Sequence, residues 1–452
     1  MFHTILVANR GEIAKRIITV LRERDIRSIA IFSEADRNAP HVKAADVAIC
    51  VGPAPVRESY LNQDAIIQIA KEHDAQAIHP GYGLLSENAG FARKCEDAGI
   101  QFIGPTPEVI ESMGDKVIAR TTAANAGVPV VPGSDGPVTD LDEAAIIADK
   151  IGYPVLVKAA GGGGGIGMAL VKKPAKLTRA IESCQDRGRS SFGNDAVYIE
   201  KYIESPRHIE VQVLFDHHGH GIHLFERECT LQRRHQKVIE EAPSLFVSER
   251  PGLREQLCKA ALSAAEAIGY RNAGTVEFVM SPSGEFYFIE MNTRLQVEHP
   301  VTEAITGVDL IGWQLDIAAG QPLSISQGDL SINGAAVECR LYAEEPEQRF
   351  LPRPGTLGVF TPPKIDGIRV DAGVESGAEV TPYYDPMIAK LTAHRGNRAD
   401  ALAAAADALE KFVIENLTTN RVFLTKVLRH GAVLAGDFDT GWLERYAKGK
   451  ID

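Results

Sequence analysis

The chain has 452 residues, of which 44% are hydrophobic and 24% charged, and its formal net charge is −12. This composition excludes disordered and fibrous chains, and the length leaves room for about three well-buried domains. An acidic chain attracts neither phosphate backbones nor anionic bilayers, so no nucleic acid and no membrane is expected as a partner.

The six cysteines, Cys50, Cys95, Cys184, Cys229, Cys258 and Cys339, form no Cys-x-x-Cys pair. That spacing argues against structural zinc and disulfides, and for a reducing, cytoplasmic setting. The opening HTILVANR reads as a strand and lacks the apolar core of a signal peptide. No apolar run reaches the length of about 18 residues that spans a bilayer.

In chain order, an apolar, β-branched strand over 3–9 leads into a helix with Ile13, Ile17, Val20 and Leu21 on one face. Strands are predicted at Ser28–Phe32, Val47–Val51 and Ala75–His79, a helix at Asp64–Glu72, and a short last strand at Gln101–Ile103. Strands alternating with helices imply an open parallel sheet with helical cover over 1–113. No G-x-G-x-x-G follows its first strand, so a dinucleotide is not expected there.

From 114 the pattern changes. A helix over Lys116–Ala126 stops at Gly127 and Pro129. Strands follow at Pro154–Ala159 and Met168–Lys172 around a glycine loop, then at Ala196–Glu200, His208–Phe215 and Ile222–Glu226. The residues 216–223 between the last two are rich in histidine and are expected to form a hairpin turn. A helix over Leu253–Ile268 precedes a hairpin of Thr275–Met280 and Phe286–Glu290, turned at Pro282 and Gly284. From about 331 come short strands, Gly/Pro turns and an Ala-rich helix that Asn397 can cap. Leu402, Ala405, Leu409 and Phe412 keep its apolar spacing.

Three features carry chemistry. The stretch VLVKAAGGGGGIGM (155–168) runs from strand to strand, so it is neither a Rossmann turn, which opens a helix, nor a Walker A loop, which needs Lys and Ser or Thr after its last glycine. Backbone without side chains can approach a polyphosphate and donate several N–H groups to it, and a loop of this kind can close as a flap. Lys158 stands beside it as a phosphate contact.

In the hairpin, Glu277 and Glu290 share a face, either opposite or diagonal to one another depending on register. Two carboxylates among apolar residues repel unless a cation lies between them, and oxygen donors of this kind suit Mg²⁺, with Asn292 as a third ligand. Arg294 then offers a clamp for a planar oxyanion and Glu298 a base beside it. Finally, FERECTLQRRHQKVIEEAPS (225–244) concentrates Arg233, Arg234, His235 and Lys237 in an acidic protein. By itself it reads as a solvated basic loop or as an anion pocket.

Long segments in one order resemble the biotin carboxylase family of the ATP-grasp superfamily. They are VANRGEIAKRI (7–17), HPGYGLLSENAGFA (79–92), MGDK (113–116), YIEKYIESPRHIEVQVLF (198–215), LQRRHQKVIEEAPS (231–244), EMNTRLQVEHPVTE (290–303), AVECRLYAEEP (336–346) and YYDPMIAKL (383–391). The resemblance implies an N-terminal open parallel α/β (Rossmann-like) domain over 1–113. It implies a central ATP-grasp domain over 114–330 with a glycine-rich lid at about 131–203, and a C-terminal α+β domain over 331–452.

It also implies a reaction. ATP phosphorylates bicarbonate to carboxyphosphate, and carbon dioxide passes to the ureido nitrogen of biotin on a carrier protein. Lys116, Lys158, Gly163, Gly164, Gly165, Gly167, Met168, Glu200, Lys201, Ile203, His208, Gln232 and His235 would hold ATP. Glu277, Glu290 and Asn292 would hold Mg²⁺, or Mn²⁺ in its place. Lys237, Arg294, Gln296 and the Val297 backbone would hold bicarbonate, Glu298 would deprotonate it, and Arg340 would stabilise the biotin enolate. Tyr82 would flank biotin and Asp385 would support the site.

Ile166, Ala169 and Leu84 depart from residues common in the family, which bears on lid contacts. None of the six methionines adjoins a lysine, as a biotinylated carrier segment would require. The resemblance therefore implies a homodimeric subunit serving a separate carrier and a carboxyltransferase, as in acetyl-CoA, other acyl-CoA or pyruvate carboxylases. Two other readings share the glycine loop and carboxylates: another ATP-grasp ligase, or a nucleotide-binding regulator without catalysis.

Overall fold

The first strands lie close to their predicted places: β1 (Thr4–Val7), β2 (Arg27–Ser33), β3 (Val47–Gly52), β4 (Ala77–His79) and β5 (Gln101–Phe102). They pair in parallel in the order β3-β2-β1-β4-β5. The helix Gly11–Glu23 buries Ile13, Ile17, Val20 and Leu21 against this sheet and against the helix Leu310–Ala318 of the next block. Strand order reverses between β1 and β4, and a doubly wound sheet opens its crevice at that switch point. Asn9, just after β1, ties the two loops together there: its Nδ2 donates to Pro80 O at 2.6 Å and to Tyr82 O at 2.8 Å.

The computed structural model describes residues 1–134, 136–138, 140–159, 168–192 and 196–451. Gly163, Gly164, Gly165, Ile166 and Gly167 lie outside the described residues. The flanking strands β6 (Val155–Ala159) and β7 (Met168–Val171) pair antiparallel, with β8 (Val197–Lys201) on the other side of β6. The helices Leu141–Ile151 and Leu177–Phe192 accompany this small sheet. Its core, including Ala144, Val155, Val157, Ile181 and Ile199, draws every buried member from 138–199, so the lid is packed on itself.

The main sheet has eight antiparallel strands. They are β9 (Arg207–Phe215), β10 (Gly221–Arg233), β11 (Gln236–Ala242), β12 (Asn272–Met280), β13 (Phe286–Asn292), β14 (Ala335–Tyr342), β15 (Ile368–Ala372) and β16 (Met387–Arg395), in the order β13-β12-β9-β10-β11-β14-β16-β15.

Two features differ from the sequence reading. The stretch 225–244 is no solvated loop. It forms β10 and β11, turned at Arg234 and His235 with φ of 49° and 65°. A two-residue hairpin turn requires that left-handed pair. Both strands are buried on both faces, so the alternation that signals a strand is absent, and their charges pair inside the fold. The longer strands after 331 also join the central sheet, while short pairs such as Glu344–Glu345 with Leu351–Pro352 stand apart from it. β14, β15 and β16 extend the central sheet, and Leu231, Val238 and Ile239 share one core with Val337, Leu391, Leu402 and Leu409.

Elsewhere the turn signals match. Asp216 Oδ1 accepts the N–H groups of His218 and His220 at 2.8 and 3.0 Å, forming the turn between β9 and β10. Asn397 Oδ1 caps the helix Arg398–Lys411 by accepting the Asp400 N–H at 2.9 Å. Among the described residues no helix is long and apolar enough to cross a membrane, and all six cysteines are free.

Candidate active site

Cross-strand register builds the centre of the site. Glu277 on β12 lies opposite Glu290 on β13 and opposite Glu210 on β9, and Glu210 in turn lies opposite Arg227 on β10. The two predicted metal carboxylates are therefore direct neighbours. A register shift after Glu277 leaves Ile289 as the extra residue, which bulges the strand beside the cleft. At the other end of the sheet Arg340 on β14 lies opposite Lys390 on β16.

Of these residues, Glu277, Glu290 and Arg340 line one cleft of about 950 Å³ between the lid and the main sheet. Tyr82 comes to it from the loop after β4, Lys116 from the start of the helix Lys116–Asn125, and Lys158, Met168 and Glu200 from the lid. The main sheet adds His208, Gln232, Lys237, Glu277, Glu290, Asn292 and Arg340, the hairpin turn adds His235, and the segment after β13 adds Arg294, Gln296 and Val297. Lys158 pairs with Glu200 across β6 and β8, and Lys116 Nζ stands 3.8 Å from Glu290 Oε2.

Lys201, Ile203 and Asp385 do not line this cleft. The Lys201 ammonium donates to Gly152 O at 2.9 Å, and Asp385 Oδ1 accepts the Met387 N–H at 2.9 Å. Glu298 lies just beneath the cleft, with 0% of its surface exposed.

Lys237 is the hub. Its ammonium donates to Glu210 at 2.5 Å, Glu277 at 2.7 Å and Glu298 at 2.8 Å. Burial pushes the lysine towards its neutral form, but the three carboxylates outweigh it and raise its pKa well above the ordinary value. The same cation acts in reverse on the acids. Burial pushes Glu298 up, yet Lys237 and Arg340, whose NH2 donates to Glu298 Oε2 at 2.9 Å, hold it well below the usual range. Glu277 is likewise held low against burial by Lys237 and His208, whose Nε2 lies 2.9 Å from Glu277 Oε2.

Glu290 behaves oppositely: burial and then the charge of Glu277 push it up. A pair in which one carboxyl is driven towards protonation by the other is a pair that a divalent cation would relieve, and its oxygen donors suit Mg²⁺. Asn292 directs its amide N–H to Glu277 at 2.8 Å, and its oxygen accepts from Arg294 at 3.0 Å with a second lone pair left for a metal.

Several charged residues at the site escaped sequence reasoning. Glu87 accepts from Arg294 Nε at 2.9 Å and from the Thr293 N–H at 3.1 Å, anchoring the clamp to the N-terminal block. Arg227, fully buried, donates to Glu210 at 2.5 Å, Gln212 and Thr302 at 2.9 Å and Thr275 at 3.1 Å, fastening the helix His299–Thr306 to the sheet. Glu240 accepts from Arg340 Nε at 2.6 Å. The signal was present for Glu210, a charge inside the apolar run IEVQVLF, by the same logic that singled out Glu277.

A switch-point crevice, a lid and a carboxylate pair beside lysines define a nucleotide-using enzyme of the ATP-grasp kind. Family models agree along the chain. Residues 1–110 match "Biotin carboxylase, N-terminal domain", 115–326 match "Carbamoyl-phosphate synthase L chain, ATP binding domain", and 338–445 match "Biotin carboxylase C-terminal domain".

A biotin carboxylase of Halalkalibacterium halodurans is 52% identical over 100% of this chain and 99% of its own. A pyruvate carboxylase subunit of Methanothermobacter thermautotrophicus is 50% identical over 99% of this chain and 91% of its own. The solved biotin carboxylase domain dimer of Hydrogenobacter thermophilus 2-oxoglutarate carboxylase, in complex with MgADP, ADP and bicarbonate, is 47% identical. It superposes with a TM-score of 0.90 over 99% of this chain and 98% of its own. The chain belongs to the biotin carboxylase family, with that family's three-domain fold and parallel N-terminal sheet.

Proposed function

We infer that this chain carboxylates biotin on a carrier protein, using bicarbonate and ATP, as an ATP-dependent ligase. The observation that carries this is the sharing of Lys237 between the Glu277 carboxylate and the buried Glu298–Arg340 pair, which joins a phosphate half-site to an anion half-site. On this reading the three blocks 1–113, 114–330 and 331–452 act as domains around one cleft.

The lid strands, with Lys158 and Glu200, take the nucleotide from one side, and Lys116 and His208 from the other. Glu277, Glu290 and Asn292 would hold Mg²⁺, which supplies charge neutralisation at the phosphates. Lys237, Arg294, Gln296 and the Val297 backbone take bicarbonate. Its arrival draws Lys237 and Arg340 away from Glu298. As those cations turn to the anion, the carboxylate they had held as a weak base regains basicity beside the proton it must accept. Arg340 then faces the charge that develops on biotin, with Tyr82 as a wall of that pocket. A closed lid keeps carboxyphosphate from water.

The chain is also proposed to act as a homodimer, in the cytoplasm, with a carrier protein and a carboxyltransferase. ADP release that requires bicarbonate and rises with free biotin is the expected result. ADP release that ignores both would overturn the reading.

A further inference from the structure

Lys390 has no role in the site described so far, yet 0% of its surface is exposed and it lies at the meeting point of all three blocks. Its ammonium, on β16, donates to the Val297 carbonyl at 2.6 Å and stands 3.1 Å from Glu12 Oε1. That oxygen also accepts the Tyr82 hydroxyl. Glu12 sits in the first turn of the helix Gly11–Glu23, and the C-terminal block presses directly on it. A Cβ on Gly373 would come within 2.7 Å of the Glu12 nitrogen and 2.9 Å of Gly11 Cα. The Lys390 ammonium therefore holds the anion loop with one bond and, through Glu12, the Tyr82 wall with the other.

Resting on the function proposed above, we propose that Lys390 is a positioning residue that sets the anion half-site and the Tyr82 wall at a fixed distance from each other. The Val297 carbonyl belongs to the peptide that carries Glu298. Gripping it fixes the backbone from which the base projects and the peptide beside bound bicarbonate. A lysine kept charged in a closed interior needs a partner, and burial works against its charge. Glu12, whose Oε1 lies 3.1 Å away, supplies that partner, and the acids around Lys390 outweigh burial and hold it above its ordinary pKa. Removing Lys390 and Glu12 together takes away the cation and its nearest carboxylate at once, so neither is left facing the other's vacancy.

The test uses the full chain with Lys390→Met combined with Glu12→Gln, and Glu12→Gln alone as the second variant. For the double variant we expect an unchanged KM for ATP and a KM for bicarbonate raised about 10- to 100-fold, as a misplaced reacting group would give. Glu12→Gln keeps the bond to Val297 but loosens Tyr82, so its bicarbonate KM should stay within about 2-fold of the parent while its biotin KM rises. A double variant that melts like the parent and keeps the parental bicarbonate KM overturns the proposal. If the double variant does not fold, Glu12→Gln decides: a biotin KM equal to the parent's overturns it. A parent chain whose ADP release ignores bicarbonate would instead refute the function itself.

Discussion

Glu298→Gln removes the proposed base while keeping its shape. The structure indicates that the fold survives the change. Lys237 retains Glu210 at 2.5 Å and Glu277 at 2.7 Å, and Arg340 retains Glu240 at 2.6 Å, so neither cation is stranded. The glutamine can still meet one donor through its carbonyl oxygen, and its amide then faces a second, unsuitable donor. One charge-assisted hydrogen bond is lost on that side, a cost of about 1.5–3 kcal/mol in stability. The chemistry loses more. General base catalysis is worth roughly 10²–10⁴-fold, or about 2.7–5.5 kcal/mol of barrier. ATP binding should be unchanged because Glu298 lies beneath the anion half-site, away from the lid. Calorimetry with a non-hydrolysable ATP analogue and a bicarbonate-dependent ADP release assay separate the two effects. Near-parental turnover in a variant that binds nucleotide normally would refute the assignment.

Other changes probe the rest of the site. Lys237→Met leaves Glu210, Glu277 and Glu298 around a missing cation and should cost about 3–5 kcal/mol, read as a lower urea midpoint. Adding Glu210→Gln should restore part of the loss, and no restoration would argue against the hub. Glu290→Gln should raise the Mg²⁺ concentration needed for half-maximal activity about 10-fold or more, since even outer partners of a metal site matter to that extent. An unchanged Mg²⁺ titration would remove Glu290 from the metal site. Glu338 is pushed up by burial from 4.5 to about 8. The folded state thus keeps its proton while the unfolded chain releases it, so stability is complete below 4.5, falls as pH rises towards 8 and is flat above. Thermal midpoints of Glu338→Gln should fall less across that window than those of the parent, and parallel curves would contradict the burial argument.

Much was legible in the chain because local physics decided it. Apolar, β-branched runs placed the first five strands, a 3.6-residue period placed the helix Gly11–Glu23, and Asn397 announced a helix start that its own side chain caps. Glu277 and Glu290 stood out because a carboxylate in an apolar run needs a reason, and long motifs carried the family and the reaction. Local signals failed where charged residues are buried within strands. By itself 225–244 read as a basic loop or an anion pocket, because the partners of its buried charges, such as Glu344 for Arg233 and Glu277 for Lys237, lie far away in sequence.

The same limit governs the site. Composition, spacing and motif determined which groups are present and what chemistry they can do together. Only the tertiary structure decided their partners and surroundings: that Glu277 and Glu290 are directly opposite, that one ammonium serves three carboxylates, and that Glu298 lies buried between Lys237 and Arg340, which hold it well below the usual range. These depend on distance and burial, and pairings such as Lys237 with Glu298 or Lys390 with Glu12 join residues that no periodicity relates.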